Sequence, residues 1–510
     1  MSVLRSKSVE QSIRDTEEPE HRLKKNLGAL DLVVFGVGVS VGAGIFVLTG
    51  QAAGGNAGPA VAVSFVIAAI ACGLAALCYA ELASTVPVAG SAYTFSFATM
   101  GELVAWIIGW DLVLEFVVGA SAVATSFSAY LGVVLEQLFG VTVPPAIASA
   151  EDGVLNLPAA LLVLGLTVVL VTGIKLSSRV NQVITAIKVL VVLAVIGVGL
   201  AFVDTANWSP FVPPAQPSAP EDAGFLTSPL VETIFGLTPT AFGVGGVVAA
   251  AALVFFAFIG FDVVATTAEE TKNPQKALPL GIFGSLAIVT VLYVAVSLVV
   301  TGVQPYSEID PADGAPLATA FTAVGVGWMG ALVAVGACVG LVSVVMILFI
   351  GQTRVAFAMA RDGLLPRGLA RTHPTHGTPY RITMITGGVI AVVAALVPLE
   401  ELALLVNIGT LFAFVLVSIG VVVLRRTRPD LRRSFRVPAL PVVATLSVLA
   451  CVYLMLNLTG ETWLRFLLWM LLGVVVYFAY SRRRSVLQPG SPAQRASAAR
   501  RGADGGQPAG

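Results

Sequence analysis

Apolar residues in this chain do not alternate with polar ones at a helical or a strand period. They gather instead in twelve long stretches, at 28–50, 59–84, 92–136, 157–175, 179–203, 244–266, 277–302, 328–360, 380–398, 402–424, 439–457 and 462–481. A run of about 18 apolar residues can cross the hydrocarbon core of a bilayer as a helix. Helix is also the form in which a lipid-exposed segment satisfies its own backbone. The pattern predicts an all-α polytopic membrane protein of about twelve transmembrane helices. The third and eighth stretches are longer than a bilayer needs, which predicts tilt, extension into water or, for the third, a kink.

Two stretches carry weak points. In the first, Gly36, Gly38, Gly42 and Gly44 fall within nine residues. Each glycine costs a helix about 1 kcal/mol relative to alanine, so the run predicts a break. Broken backbone at bilayer depth is tolerated where it is buried in protein or lines a wet cavity. The sixth stretch supplies a counterpart at Phe255–Asp262, with Gly260 mid-span. Stretches 1–5 (28–203) and 6–10 (230–424) then form two halves. Five is an odd number, so the halves cross the membrane in opposite senses, as an inverted repeat does, and matched breaks in such halves point to a substrate site. Stretches 11 and 12 (439–482) complete a transmembrane domain of 28–482. The polar residues 1–27 lack the apolar core of a signal peptide and are expected to be a cytoplasmic tail. Residues 483–510, rich in Gly, Pro, Ala and Ser, are expected to be a disordered cytoplasmic tail.

Composition agrees with this class. Hydrophobic residues make up 57% of the chain and charged ones 11%, against about 25% charged in a soluble domain. The net charge of zero hides a sorting by side. The connections at 137–156, 204–243, 303–327, 399–401 and 458–461 contain no Lys or Arg, whereas Arg22, Lys24, Lys272, Lys276, Arg361, Arg367 and the Arg425–Arg436 cluster lie on the other side. The positive-inside rule puts both termini in the cytoplasm and the protein in the cell membrane. The four cysteines all fall in apolar stretches, and His21, His373 and His376 lie in cytoplasmic segments. No metal-ligand spacing or nucleophile–base pair is present, so neither an enzyme nor a metal site nor a cofactor is expected. Nothing in the charge pattern suggests a nucleic-acid partner.

A helix break exposes N–H groups at one half-helix end and C=O groups at the other. The first suits a carboxylate and the second an ammonium. Two facing breaks therefore suit the zwitterionic headgroup of an α-amino acid. Glycines alone would serve equally well for close helix packing; the paired break favours the site. Ionisable residues inside the stretches are Glu81, Glu102, Asp111, Glu115, Lys188 and Asp262, each costing on the order of 3 kcal/mol at a helix centre. Glu81 and Glu102 lie near cytoplasmic ends, where structural pairing is expected. Asp111 and Glu115 are four residues apart on one helix face, and a role in the cavity and a structural pairing stay equally open. Lys188 is the deepest cation and is assigned to proton coupling, the alternative being a permanently charged lysine that only holds the helices together.

The segments GVGVSVGAGIFVLTG (36–50), PVAGSAY (87–93), GWDLVLEF (109–116), FFAFIGFDVVATTAEETKNP (255–274) and GQTRVAFAMARDGLLP (351–366) resemble the amino acid–polyamine–organocation superfamily. The resemblance is to the bacterial cationic amino acid transporter branch and covers stretches 1 to 8 in order. It implies the two inverted five-helix repeats shared with sodium-coupled neurotransmitter transporters, and secondary active uptake of amino acids. It also implies that Gly42, Ala43 and Gly44 bind the carboxylate. The carbonyls of Ser40, Phe256, Ala257 and Ile259 would take the amino group, and Lys188 would fill the place of a sodium ion. Glu115, beside this region, is a candidate for shaping side-chain selectivity. Ala43 stands where relatives often carry a hydroxyl, and Ser40 where many carry an aliphatic residue, so the branch name does not carry over the substrate. The expected partners are an amino acid, protons and the bilayer, with an accessory membrane subunit left open. Proton symport leads; exchange through the same site is the alternative. A receptor would be expected to bring a sizeable soluble domain, which is not visible.

Overall fold

The computed structural model describes residues 27–85, 91–151, 153–173, 178–217, 224–237, 240–374, 377–431 and 433–488. Almost all of residues 1–27, most of 483–510, His21 and His376 lie outside the described residues. Each of the twelve stretches is helical. Span 1 is Ala29–Ser40 followed, after a break, by a second helical half over 44–57. Spans 2 to 5 are Val61–Thr85, Glu102–Phe139, Leu157–Val171 and Ser178–Gly199. Span 6 is Gly243–Val254, the short turn Phe255–Phe258 and Phe261–Thr266. Spans 7 to 12 are Pro274–Val303, Gly327–Arg361, Tyr380–Leu396, Leu399–Thr427, Leu440–Leu456 and Gly460–Val476, the last running on to Arg484. Among the described residues, eight helical runs are long and apolar enough to cross a bilayer. The only strand pair among the described residues joins Gln216–Pro217 to Thr240–Ala241 in the connection between spans 5 and 6.

The third stretch is two helices where a kink was expected. Ser91–Thr99 ends at Met100, whose N–H bonds to the Ser96 carbonyl at 2.8 Å. Gly101 follows at φ 95°, a conformation that favours glycine, before Glu102 starts the long helix. Spans 3 and 8 run along each other, span 2 packs on span 7, and the inner half of span 1 lies against spans 5 and 7.

Polar fastenings hold this frame where the termini emerge. Glu81, 1% exposed, receives a forked pair of bonds from Arg425 Nε and Nη2 at 2.8 and 2.5 Å and the Val437 N–H at 2.7 Å. Glu102, fully buried, accepts the Ser485 hydroxyl at 2.7 Å and the Tyr477 hydroxyl at 3.2 Å. Span 12 is bolted to span 3 by reciprocal indole bonds. Trp110 Nε1 donates to the Trp469 carbonyl at 2.9 Å and Trp469 Nε1 to the Trp110 carbonyl at 3.2 Å, with the rings stacked at 4.5 Å. The chain entering span 1 pairs with the chain leaving span 6: Leu27 N–H donates to the Glu270 carbonyl at 3.0 Å and Lys272 N–H to the Leu27 carbonyl at 2.9 Å. Glu270 also meets Arg354 of span 8 at 3.0 Å.

Candidate functional site

Span 1 stops where its glycines predict. The inner half ends as Val41 N–H bonds to the Val37 carbonyl, and the outer half restarts as the N–H groups of Ile45 and Phe46 bond to the Gly42 carbonyl, both at 3.2 Å. The N–H groups of Gly42, Ala43 and Gly44 therefore precede any intrahelical acceptor. Span 6 breaks at Ile259, with ψ 127°, and Gly260, with φ 134°. A Cβ at Gly260 would also meet Val39 Cγ1 at 2.8 Å and the Ser40 nitrogen at 3.1 Å. The second half of span 6, Phe261–Thr266, carries Asp262 in its first turn, and the Asp262 Oδ1 accepts the Gly260 N–H at 3.1 Å. Asp262 therefore serves the backbone of the break.

The two breaks touch. A Cβ at Gly44 would lie 2.3 Å from Ala257 Cα, so glycine is what allows spans 1 and 6 to meet. Tyr293 of span 7 joins them: its hydroxyl lies 2.6 Å from the Ser40 carbonyl and 2.8 Å from the Ala257 carbonyl. One phenolic proton serves one of these at a time, and together they hold the C-terminal ends of two half-helices side by side. The lone tyrosine of the apolar stretch 277–302 was the available signal, since a buried tyrosine hydroxyl usually finds a partner.

Between the breaks lies a cavity of about 20 Å³ lined by Ser40, Gly42, Ala43, Gly44, Glu115, Phe256 and Ile259, with Val39, Gly119, Val123, Val344 and Leu348 completing the wall. That volume holds about one water, too little for an amino acid as the site stands. Ala257, grouped with these residues on sequence grounds, packs behind Gly44 and does not line the cavity. Val123, Val344 and Leu348 carried no signal in sequence, because an apolar wall residue in a membrane helix looks like any other.

Glu115 is the one charged lining residue. It is 2% exposed, and its carboxylate faces the hydroxyl of Thr410 from span 10. Asp111 does not reach the cavity. It is fully buried one turn away, facing span 10, where a Cβ at Gly409 would lie 3.0 Å from its Oδ1. Lys188 also stands outside the cavity. It is fully buried and its Nζ donates to the Gly38 carbonyl at 2.5 Å, in the inner half of span 1. Its alkyl chain packs against Gly340 of span 8, where a Cβ would come within 3.0 Å of Lys188 Cγ. One side chain thus links spans 5, 1 and 8.

Comparison with known proteins gives the family. The family model described as amino acid permease matches residues 27–478. A branched-chain amino acid permease of Bacillus subtilis (strain 168) is 47% identical over 492 residues, covering 95% of this chain and 99% of the relative. A methylthioribose transporter of the same organism is 43% identical, with 95% and 99% covered. A vacuolar cationic amino acid transporter of Arabidopsis thaliana is 37% identical, covering 84% of this chain and 68% of the relative. The match across nearly the whole length settles the family: the chain belongs to the amino acid permease family, within the amino acid–polyamine–organocation superfamily, and is a multi-pass membrane transporter.

Proposed function

We propose that this protein imports branched-chain or similarly small apolar amino acids into the cytoplasm by proton symport, with both of its termini on the cytoplasmic side. The observation that carries the proposal is the cavity between the two breaks: N–H groups of Gly42–Gly44 on one side, backbone carbonyls at the end of the outer half of span 6 on the other. The carboxylate goes to the first and the ammonium to the second. Val39, Val123, Val344 and Leu348 form an aliphatic wall for the side chain, which fits the branched-chain relatives of Bacillus subtilis and Lactococcus lactis. Ser40 and Ala257 carbonyls, held by the Tyr293 hydroxyl in the closed site, become available to the ammonium when the site opens around a ligand. Glu115 borders the side-chain pocket and limits what fits beside it.

Lys188 is assigned to coupling. Its ammonium makes a charge-assisted bond to the Gly38 carbonyl, stronger than a neutral amine would make. Loss of its proton weakens the hold of spans 5 and 8 on the inner half of span 1 and lets that half move.

Purified protein in proteoliposomes tests the proposal. Leucine should accumulate in empty vesicles when the outside is made acidic, and a protonophore should abolish the accumulation. Uptake that requires internal leucine would replace symport by exchange. Uptake of methylthioribose without uptake of leucine would overturn the amino acid assignment.

A further inference from the structure

Span 6 is held from span 10 as well as from span 7. Asn407, fully buried on span 10, donates from its Nδ2 to the Ala252 carbonyl at 2.7 Å and to the Leu253 carbonyl at 3.0 Å. Both acceptors belong to the last turn of Gly243–Val254, the outer half of span 6. The last four carbonyls of an α-helix have no partner within it, so the Asn407 amide closes the open end of this half-helix. About two helical turns further along span 10, the Phe414 ring packs against Phe255 at 5.9 Å and against Phe261 at 5.2 Å. Those two rings stand on either side of the break at Ile259 and Gly260. Span 10 therefore backs the break from the half-helix before it to the half-helix after it.

The amide of Asn407 is committed to span 6. Its Oδ1 has no hydrogen-bond partner among the described residues, and a buried polar atom left unpaired costs stability. An apolar side chain of that size would avoid the cost but leave both carbonyls without this donor. Ser64 of span 2 holds the same half-helix in a different way. Its hydroxyl donates to the Val247 carbonyl at 2.8 Å, in the body of the helix, where a carbonyl already serves the N–H four residues on. Ser64 grips the body of the half-helix, and Asn407 grips its end.

We propose that Asn407 is a positioning residue of the amino acid site. With Ala252 and Leu253 committed to the span 10 amide, the carbonyls left for the ammonium are those of the following turn, Phe255–Phe258. Their direction is set by the helix end that Asn407 fixes. Phe256, in this turn, lines the cavity between the breaks, whereas Asn407 does not, so Asn407 acts through span 6. Its role rests on the assignment of the ammonium to span 6 in the proposed function.

Leucine uptake by full-length protein in proteoliposomes tests this. Asn407→Leu, similar in size and without the amide, should raise the KM for leucine about tenfold, the scale of one well-placed hydrogen bond, and leave maximal uptake near that of the parent. Asn407→Ser keeps a single donor and should fall between the two; it carries the test if Asn407→Leu does not fold. Ser64→Ala, which frees the same half-helix further from its end, should leave the KM at the parent value. An unchanged KM in the Asn407 variants that fold, or an equal rise in Ser64→Ala, would overturn the positioning role. The ammonium assignment is checked separately in the parent protein, with the α-hydroxy acid of leucine (its ammonium replaced by a hydroxyl) as inhibitor of leucine uptake. Much weaker inhibition than by unlabelled leucine is expected. If the hydroxy acid inhibits as strongly as leucine, span 6 does not grip the ammonium, and that assignment falls whatever the Asn407 variants do.

Discussion

Gly42 and Gly44 stand two residues apart and do different work. A Cβ at Gly42 would come no nearer than 3.3 Å to anything, at Val344 Cγ2, whereas one at Gly44 would strike the backbone of Ala257 at 2.3 Å. The first contact narrows the cavity; the second forces two spans apart. Gly42→Ala is therefore expected to fold normally and to weaken leucine uptake about tenfold through KM. Gly44→Ala should lower the thermal stability and yield of the protein in detergent, as overpacking typically costs about 1–3 kcal/mol. Melting curves of the two variants, read beside uptake, check the distinction; equal melting temperatures would contradict it. Lys188 poses a different question. If its proton is the coupling proton, Lys188→Ala should lose acid-driven accumulation of leucine yet keep leucine exchange across the vesicle. Accumulation that stays fully pH-driven in this variant would rule the assignment out and turn attention to Glu115, the one ionisable group on the cavity wall.

Between neighbouring spans, the decisive contacts are those that a break makes necessary. The carbonyls of Ser40 and Ala257 end two half-helices and need donors, and Tyr293 of span 7 supplies one hydroxyl to both. Tyr293→Phe removes it and leaves a buried carbonyl unsatisfied, at a cost of about 1–3 kcal/mol. The expected result is a lower melting temperature without ligand, with part of the loss recovered on adding leucine, whose ammonium replaces the missing donor. A variant as stable as the parent would show that the bridge is dispensable. How much of this was legible in the chain differs by element. The break in span 1 could be placed to within a few residues because glycine clusters are costly in a helix, and the break in span 6 followed from Gly260. The part played by Tyr293 was hidden, because its partners lie 253 and 36 residues away and nothing local links them. Asp111 and Glu115 share a helix face by spacing, yet the packing of span 10 separates them, and only Glu115 meets the cavity.

Across the whole bundle, the asymmetry of charge that orients the chain is also a statement about access. Single cysteines at Ala312 and Ala370, in a Cys338→Ala background, test it. With an impermeant thiol reagent added to intact cells, the cysteine at Ala312 should label and the one at Ala370 should not; the reverse would invert the proposed orientation. The twelve spans were readable because apolar runs of that length have few other uses. The small size of the cavity was not, since it depends on how side chains far apart in sequence, such as Val344, Leu348 and Phe256, come together around it. One further consequence lies in the short ladder that joins Leu27 to Glu270 and Lys272. It stitches the start of span 1 to the end of span 6, so the two half-helices it joins are expected to swing together, as the arms of one lever. Its fulcrum is the pair of breaks themselves. In the proposed transport cycle, a motion that draws the Ser40 carbonyl away from the ammonium is expected to carry the second half of span 6 with it, against the Glu270–Arg354 pair.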